Sequence, residues 1–197
     1  MREQRGPLDA DDERRLLPAE EAWLARAVPR RRREAATARR LAREALAALG
    51  VEDAPAHALL PGPLGAPSWP PGVVGSLAHT DRLVVAAVAR SRPGLRGVGV
   101  DVEPDEPLPP DVVPVVLSEA EQRLVADLLG PDRLLFCAKE AAYKAWAPDR
   151  ATRHLDPLEV AVTAADDAGF VAVLPDGATV TGRWTIDAGL LLAAARW

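Results

Sequence analysis

Residues 136–146 read Phe136-Cys137-Ala138-Lys139-Glu140-Ala141-Ala142-Tyr143-Lys144-Ala145-Trp146, and no other stretch of the 197-residue chain departs so far from its surroundings. Of 24 basic residues all but two are arginine, and both lysines, Lys139 and Lys144, fall here with the only cysteine and the only tyrosine. The chain has no asparagine and a single isoleucine, Ile186, a composition in which arginine replaces lysine wherever any cation will serve. A compact, rotatable ammonium is not equivalent to a planar guanidinium, so this segment has a chemical demand that the rest lacks. It reads as a helix from about Asp132 to Trp146. Phe136, Glu140 and Lys144 share one face at spacing four, as do Lys139 and Tyr143. By spacing alone, Glu140 and Lys144 form either a solvated ion pair or part of a site.

Upstream lies Gly97-Val98-Gly99-Val100-Asp101-Val102-Glu103-Pro104. In a strand, residues two apart face the same way, so Asp101 and Glu103 project together. Two adjacent carboxylates repel unless a cation neutralises them or one keeps its proton. Oxygen-only ligands favour Mg²⁺ or Mn²⁺ over zinc, and Glu140 could complete a three-carboxylate set. A solvated strand end is the competing reading.

Working outward, residues 1–15 are charged and read as a loosely held arm. Short helical signals run from Ala19 to Ala27. A strong helix follows from Arg30 to Leu49, with Ala38, Leu41, Ala42, Ala45 and Leu49 on one face and Gly50 as its stop. Residues 54–72 are Pro- and Gly-rich loop. Strand-like runs follow at Val73–His79, Leu83–Arg90 and Gly97–Glu103. The Pro-rich stretch 104–114 reads as a connection between an N-terminal lobe, 16–104, and a C-terminal lobe, 105–197. Ser118-Glu119-Ala120-Glu121 resembles a capping box opening a helix through Leu129. Strands are expected near 158–164, 169–174, 179–186 and 189–196, the last two joined by Asp187-Ala188-Gly189. The stretch Gly75–Arg90 echoes Gly182–Arg196, each a hairpin ending in an Ala-rich strand, which would suit two similar lobes with a site between them.

Composition narrows the function. A net charge of −5 argues against a general nucleic-acid binder. One cysteine excludes a disulfide framework and any Cys-based zinc cluster. No apolar run suggests a membrane span or a signal peptide, so the expectation is a cytoplasmic protein. Charge is nevertheless segregated. Residues 30–43 hold seven arginines against one glutamate, whereas 101–121 hold seven acids and no base. Arg32, Arg39 and Arg43 fall within about 20° of one helical azimuth. Arginine forks match phosphate oxygens, so this opposition suits a polyanion bridged to a metal, although a solvated basic face would look the same. His79, ending Gly75-Ser76-Leu77-Ala78-His79, is either a phosphate donor or a turn histidine. His57 and His154 have no partner pattern.

In this order, the basic helix, Trp69-Pro-x-Gly-x-x-Gly-Ser-x-x-His79, Gly-Val-Asp101-x-Glu103-Pro and Lys139-Glu140-Ala-x-Tyr143-Lys144-Ala-Trp146 resemble the 4′-phosphopantetheinyl transferases of the Sfp/EntD type, and most closely the actinobacterial PptT-like branch. The resemblance runs from about Leu17 to the C-terminus. It implies a pseudo-dimeric, two-lobed α/β (α+β) fold with coenzyme A (CoA) in the inter-lobe cleft. The implied reaction moves phosphopantetheine from CoA to a serine of an apo acyl or peptidyl carrier protein of a polyketide, nonribosomal peptide or fatty acid synthase, releasing adenosine 3′,5′-bisphosphate. The implied enzyme is a monomer that engages neither nucleic acid nor membrane. Carried over by position, Asp101, Glu103 and Glu140 would bind Mg²⁺, and Glu140 would help deprotonate the carrier serine. Lys144 would neutralise or protonate the leaving phosphate. Arg32, Arg39, Arg43, His79, Lys139 and Lys144 would hold CoA.

The chain departs from this pattern in several places. The loop Leu64-Gly65-Ala66-Pro67 lacks the family's usual lysine, Ala78 replaces a Ser or Thr, and the family's first strand has no counterpart in residues 1–15. Three rivals belong to other classes: a metal-dependent nuclease, a catalytically weak CoA-binding protein, and a plain interaction domain that leaves the lysine clustering unexplained.

Overall fold

The structure, a computed structural model, describes residues 1–6, 8–126, 131–166 and 168–197. Two antiparallel sheets form its frame. The first comprises β1 (Arg2–Arg5), β2 (Val73–His79) and β3 (Leu83–Arg90) in the order β1-β3-β2. The second comprises β4 (Val98–Pro104), β5 (Ala161–Ala165), β6 (Gly169–Val173), β7 (Thr179–Asp187) and β8 (Leu190–Arg196) in the order β4-β8-β7-β6-β5. One long helix packs on each sheet: α2 (Pro29–Ala48) on the first, and α5 (Arg133–Arg150) on the second. Three shorter helices are α1 (Pro18–Leu24), α3 (Val113–Val116) and α4 (Glu119–Ala126). The expected continuation of α4 to Leu129 lies outside the described residues.

Residue alternation explains why β3 is an unbroken apolar run. Val84 and Ala86 pack under α2 with Ala38, Leu41 and Ala42. Leu83, Val85 and Ala87 turn the other way, onto Val100, Val102 and Leu190 of the second sheet. A strand buried on both faces reads as continuous hydrophobicity. The second core gathers Leu134, Leu135, Ala138, Ala142 and Trp146 of α5 with Phe170, Ala172, Leu191 and Ala193 beneath.

Two expectations are corrected. Residues 1–15 are not a loose arm. Arg2–Arg5 pair with Leu83–Ala86 as the edge strand β1, and a 3-10 turn at Ala10–Arg15 buries Asp12, which accepts from Thr37 at 2.8 Å and Arg40 at 2.7 Å. A buried acid with two donors anchors the segment. Likewise, a lobe boundary at residue 104 would cut a sheet. Val98–Pro104 bond along their whole length to Leu190–Arg196, so β4 belongs with the C-terminal elements and the division falls ahead of Val98.

The two sheets are also clipped at one point. Asp187 and Leu190 flank a two-residue turn in which Ala188 and Gly189 both take positive φ, 50° and 71°, the type I′ geometry that matches strand twist. Arg82, from the β2–β3 turn, donates to the carbonyl of Gly189, as does the amide of Asp105 at 3.1 Å. Arg5 pairs with Asp187 at 2.8 Å.

Candidate active site

The two glycines of Gly97-Val98-Gly99-Val100-Asp101 decide how β4 meets α5. A Cβ on Gly97 would lie 1.8 Å from the carbonyl oxygen of Ala145, and one on Gly99 1.9 Å from that of Ala141. Only glycine permits this approach. Because alternate residues share a face, Asp101 and Glu103 continue the glycine face toward α5, while Val100 and Val102 enter the core between the sheets.

The acidic pair is thereby set against cations. Lys144 Nζ donates to Asp101 Oδ1 at 2.6 Å, and Arg133 donates to Glu103 at 3.3 Å and to the carbonyl of Pro107 at 3.1 Å. Asp101 is buried, and its Oδ2 reaches no hydrogen-bond partner. Burial raises the Asp101 pKa, with Lys144 opposing. Burial also raises that of Glu103, reinforced by Asp101 and opposed by Arg133. Glu140 is raised by burial, with Lys144 lowering it and Asp101 raising it further. Asp101 is thus the electrostatic neighbour of both Glu103 and Glu140. Among the described residues, no three His, Cys, Asp or Glu side chains stand close enough together to hold a metal ion, so Asp101, Glu103 and Glu140 are not gathered into one cluster.

Glu140, Tyr143 and Lys144 line one wall of a cleft of 270 Å³. The opposite wall comes from α2, β2 and the loop Leu60–Pro67, and presents Arg31, Arg39, Ser76 and His79. Arg39 is buried, lies over the Trp23 ring at 4.5 Å and donates to the carbonyl of Ala35 at 3.0 Å. Its Nε has no hydrogen-bond partner. Burial lowers its pKa to about 10, with Glu20, 3.8 Å away, opposing. Arg31 donates to Nε2 of His79, which fixes that ring as the neutral tautomer with its proton on Nδ1. Burial lowers the His79 pKa, against Glu34 and with Arg31, Lys144 and Arg30.

Five expected residues do not line this cleft: Asp101 and Glu103, which meet Lys144 and Arg133, and three cations that are engaged elsewhere. Arg32 pairs with Glu13 at 2.8 Å and Glu21 at 3.7 Å. Arg43 is buried against Glu20 at 2.8 Å and the carbonyl of Arg15 at 2.8 Å. Their common azimuth is real, but acids from residues 13–21 occupy it. Lys139, 1% exposed, faces away from the cleft and donates to Glu121 at 2.8 Å and to the carbonyls of Val116 at 2.7 Å and Pro157 at 3.0 Å. With three protons on three acceptors, its ammonium is saturated and has no donor left for CoA. Conversely, sequence reasoning passed over Arg31, which sits in a run of four arginines that spacing does not separate. It also passed over Arg133, which opens the α5 segment and carries no signal in the sequence that separates it from Arg123.

Comparison with known proteins bears on this arrangement. A family described as the 4′-phosphopantetheinyl transferase N-terminal domain matches residues 19–89, and one described as the 4′-phosphopantetheinyl transferase superfamily matches residues 97–193. The 4′-phosphopantetheinyl transferase Svp of Streptomyces mobaraensis is 43% identical over 196 residues, spanning 91% of this chain and 77% of that protein. This chain belongs to the 4′-phosphopantetheinyl transferase superfamily. Two further transferases are similar to it. PptT of Mycobacterium tuberculosis is 41% identical over 196 residues (90% of this chain, 84% of that protein), and Npt of Nocardia iowensis is 39% identical over 188 residues (94% and 79%). The gap between the two matched regions of the transferase falls just ahead of β4, where the sheets divide. Among the described residues no helix is long and apolar enough to cross a membrane.

Proposed function

We propose that this transferase, acting as a monomer with Mg²⁺, moves 4′-phosphopantetheine from CoA to the serine of an apo carrier protein serving polyketide, nonribosomal peptide, siderophore or fatty acid synthesis in the cytoplasm. The observation that carries the reading is the cleft itself. Arg31 and Arg39 of α2, with the neutral His79 of β2, face Glu140 and Lys144 across it, and Lys144 ties the cleft to the buried Asp101 and its half-buried neighbour Glu103. Phosphoryl transfer asks for this opposition of positioning cations and acid groups around a polyanion.

Asp101 fits a divalent cation, although Glu103 and Glu140 do not converge with it into a three-ligand cluster. Asp101 Oδ2 is a buried anionic oxygen with no hydrogen-bond partner, and hard carboxylate donors suit Mg²⁺ or Mn²⁺. Asp101 would hold it, and it would supply charge neutralisation on the CoA pyrophosphate. The chain's own groups do the rest. Arg31, Arg39 and His79 bind CoA phosphate groups, Arg39 through an Nε otherwise left unpaired. Glu140, whose proton affinity burial raises, takes the proton of the carrier serine hydroxyl. The serine oxygen attacks the pantetheine-side phosphorus, and the bridging P–O bond breaks. Lys144 neutralises the adenosine 3′,5′-bisphosphate that leaves. The test incubates the protein with CoA, Mg²⁺ and an apo carrier protein and weighs the carrier. A mass gain of one phosphopantetheine per carrier is expected; an unmodified carrier despite measurable CoA binding would refute turnover.

A further inference from the structure

We propose that Lys139 is a positioning residue for this reaction: its buried ammonium fixes the rotation of α5 about its own axis and thereby aims Glu140 and Lys144 into the cleft. The inference rests on the roles proposed above for those two residues. Lys139 Nζ lies 2.7 Å from the carbonyl oxygen of Val116, 2.8 Å from Glu121 Oε2 and 3.0 Å from the carbonyl oxygen of Pro157. Glu121 in turn accepts from the amides of Ser118 and Val162, each at 2.8 Å. One ammonium therefore joins the end of α3, the start of α4, the turn before β5 and the back of α5.

The cleft side of α5 has no comparable fastening. Among the described residues, no protein group donates a hydrogen bond to the Glu140 carboxylate; its recorded influences are burial and the charges of Lys144 and Asp101. Where Glu140 points is thus set by the helix that carries it. That helix is gripped on two faces. Gly97 and Gly99 of β4 press on the backbone of Ala141 and Ala145, and Lys139 holds the opposite flank. The glycine contact is steric and sets the distance between β4 and α5. The three acceptors around Lys139 are directional and resist rotation. At a side-chain radius of about 5–6 Å, a helix rotation of roughly 10° moves a carboxylate by about 1 Å, and a misplacement of about 1 Å costs on the order of 100-fold in rate. The same geometry accounts for a lysine in an arginine-rich chain: three acceptors converging on one nitrogen suit a tetrahedral ammonium and do not suit a planar fork.

The experiment compares the full-length wild type with Lys139→Met, Lys139→Arg and Glu121→Gln. It measures kcat with an apo carrier protein, CoA affinity by calorimetry, and the thermal midpoint. Lys139→Met should lower kcat about 10- to 100-fold, while CoA affinity stays within about twofold because Arg31, Arg39 and His79 sit on α2 and β2. Lys139→Arg should not rescue. Glu121→Gln, which keeps shape and an acceptor, should lower kcat in the same direction by less, and it decides the matter if Lys139→Met does not fold. Folded variants with a lowered midpoint but wild-type kcat below their transition would overturn the proposal, leaving Lys139 as a stabilising group only. A parallel loss of CoA affinity would also overturn it, making Lys139 a ligand contact. A wild-type protein that transfers nothing would instead overturn the functional reading beneath it.

Discussion

Replacing Gly99 by alanine tests whether the contact between β4 and α5 sets the site. The new Cβ would sit 1.9 Å from the carbonyl oxygen of Ala141 and 2.7 Å from the amide nitrogen of Ala145, roughly 1.5 Å short of ordinary contact. Both obstacles are helix backbone, so no side-chain rotation relieves them, and strand and helix must part. Overpacking of this kind costs about 1–3 kcal/mol, which in a chain of this size lowers the melting temperature by about 2–4 °C per kcal/mol. The functional effect should exceed the thermal one. Asp101 stands two residues along the same face and makes its 2.6 Å contact with Lys144 across the very interface being opened. A separation of about 1 Å between β4 and α5 should cost on the order of 100-fold in transfer rate. Calorimetric melting and carrier mass spectrometry at a temperature where the variant is fully folded read the two effects separately. A Gly99→Ala protein with wild-type melting and wild-type transfer would refute the steric argument and the coupling of β4 to the site.

Three further outcomes follow from the same geometry. Glu140→Gln should lose at least about 100-fold in transfer yet melt no lower than wild type at pH 7. The fold raises the Glu140 pKa, so its ionised form opposes folding; that opposition sets in as pH rises through the carboxylate range and is absent below it, and the variant's thermal advantage should vanish in acid. Arg39→Ala should lose roughly tenfold or more of the preference for CoA over 3′-dephospho-CoA, measured by calorimetry on both nucleotides; an unchanged preference would remove Arg39 from that phosphate. Lys144→Arg should bind CoA but lose most turnover, since a guanidinium does not reproduce the ammonium between Asp101 and the cleft; wild-type turnover in Lys144→Arg would refute that role.

The sequence showed most of the frame because burial imposes a pattern. Strands 73–79 and 83–90 were readable as apolar runs bounded by turn residues, and α2 stops at Ala48 with Gly50 at φ 76° just beyond. What stayed hidden depends on partners distant in the chain. Arg2–Arg5 carry no strand pattern and become a strand only by adding to the edge of β3. The stripe of Arg32, Arg39 and Arg43 has the expected azimuth, yet periodicity does not say that Glu13, Glu20 and Glu21 fold back over its two ends. For Lys139 the demand for an ammonium was legible, but its direction was not. Residues 139 and 140 differ by about 100° of helix, which separates a buried cage from the cleft wall. That Asp101 and Glu103 share a strand face, and that Glu140 and Lys144 lie one helical turn apart, was legible because strand alternation and helical spacing are local rules.

The turn at Ala188-Gly189 has a bearing on how homologous sequences should be compared. Arg82 and the Asp105 amide both contact it through the carbonyl oxygen of Gly189, an atom that every amino acid carries. Side-chain identity at 189 therefore contributes nothing to holding the first sheet against the second, whereas the backbone angle there contributes a great deal. Drift at this site should be filtered by tolerance of positive φ, admitting glycine, asparagine and aspartate and rejecting β-branched residues. Searches for paired charge substitutions would register Arg5 with Asp187 and miss the neighbouring tie, because one of its two members leaves no mark in the alphabet being compared.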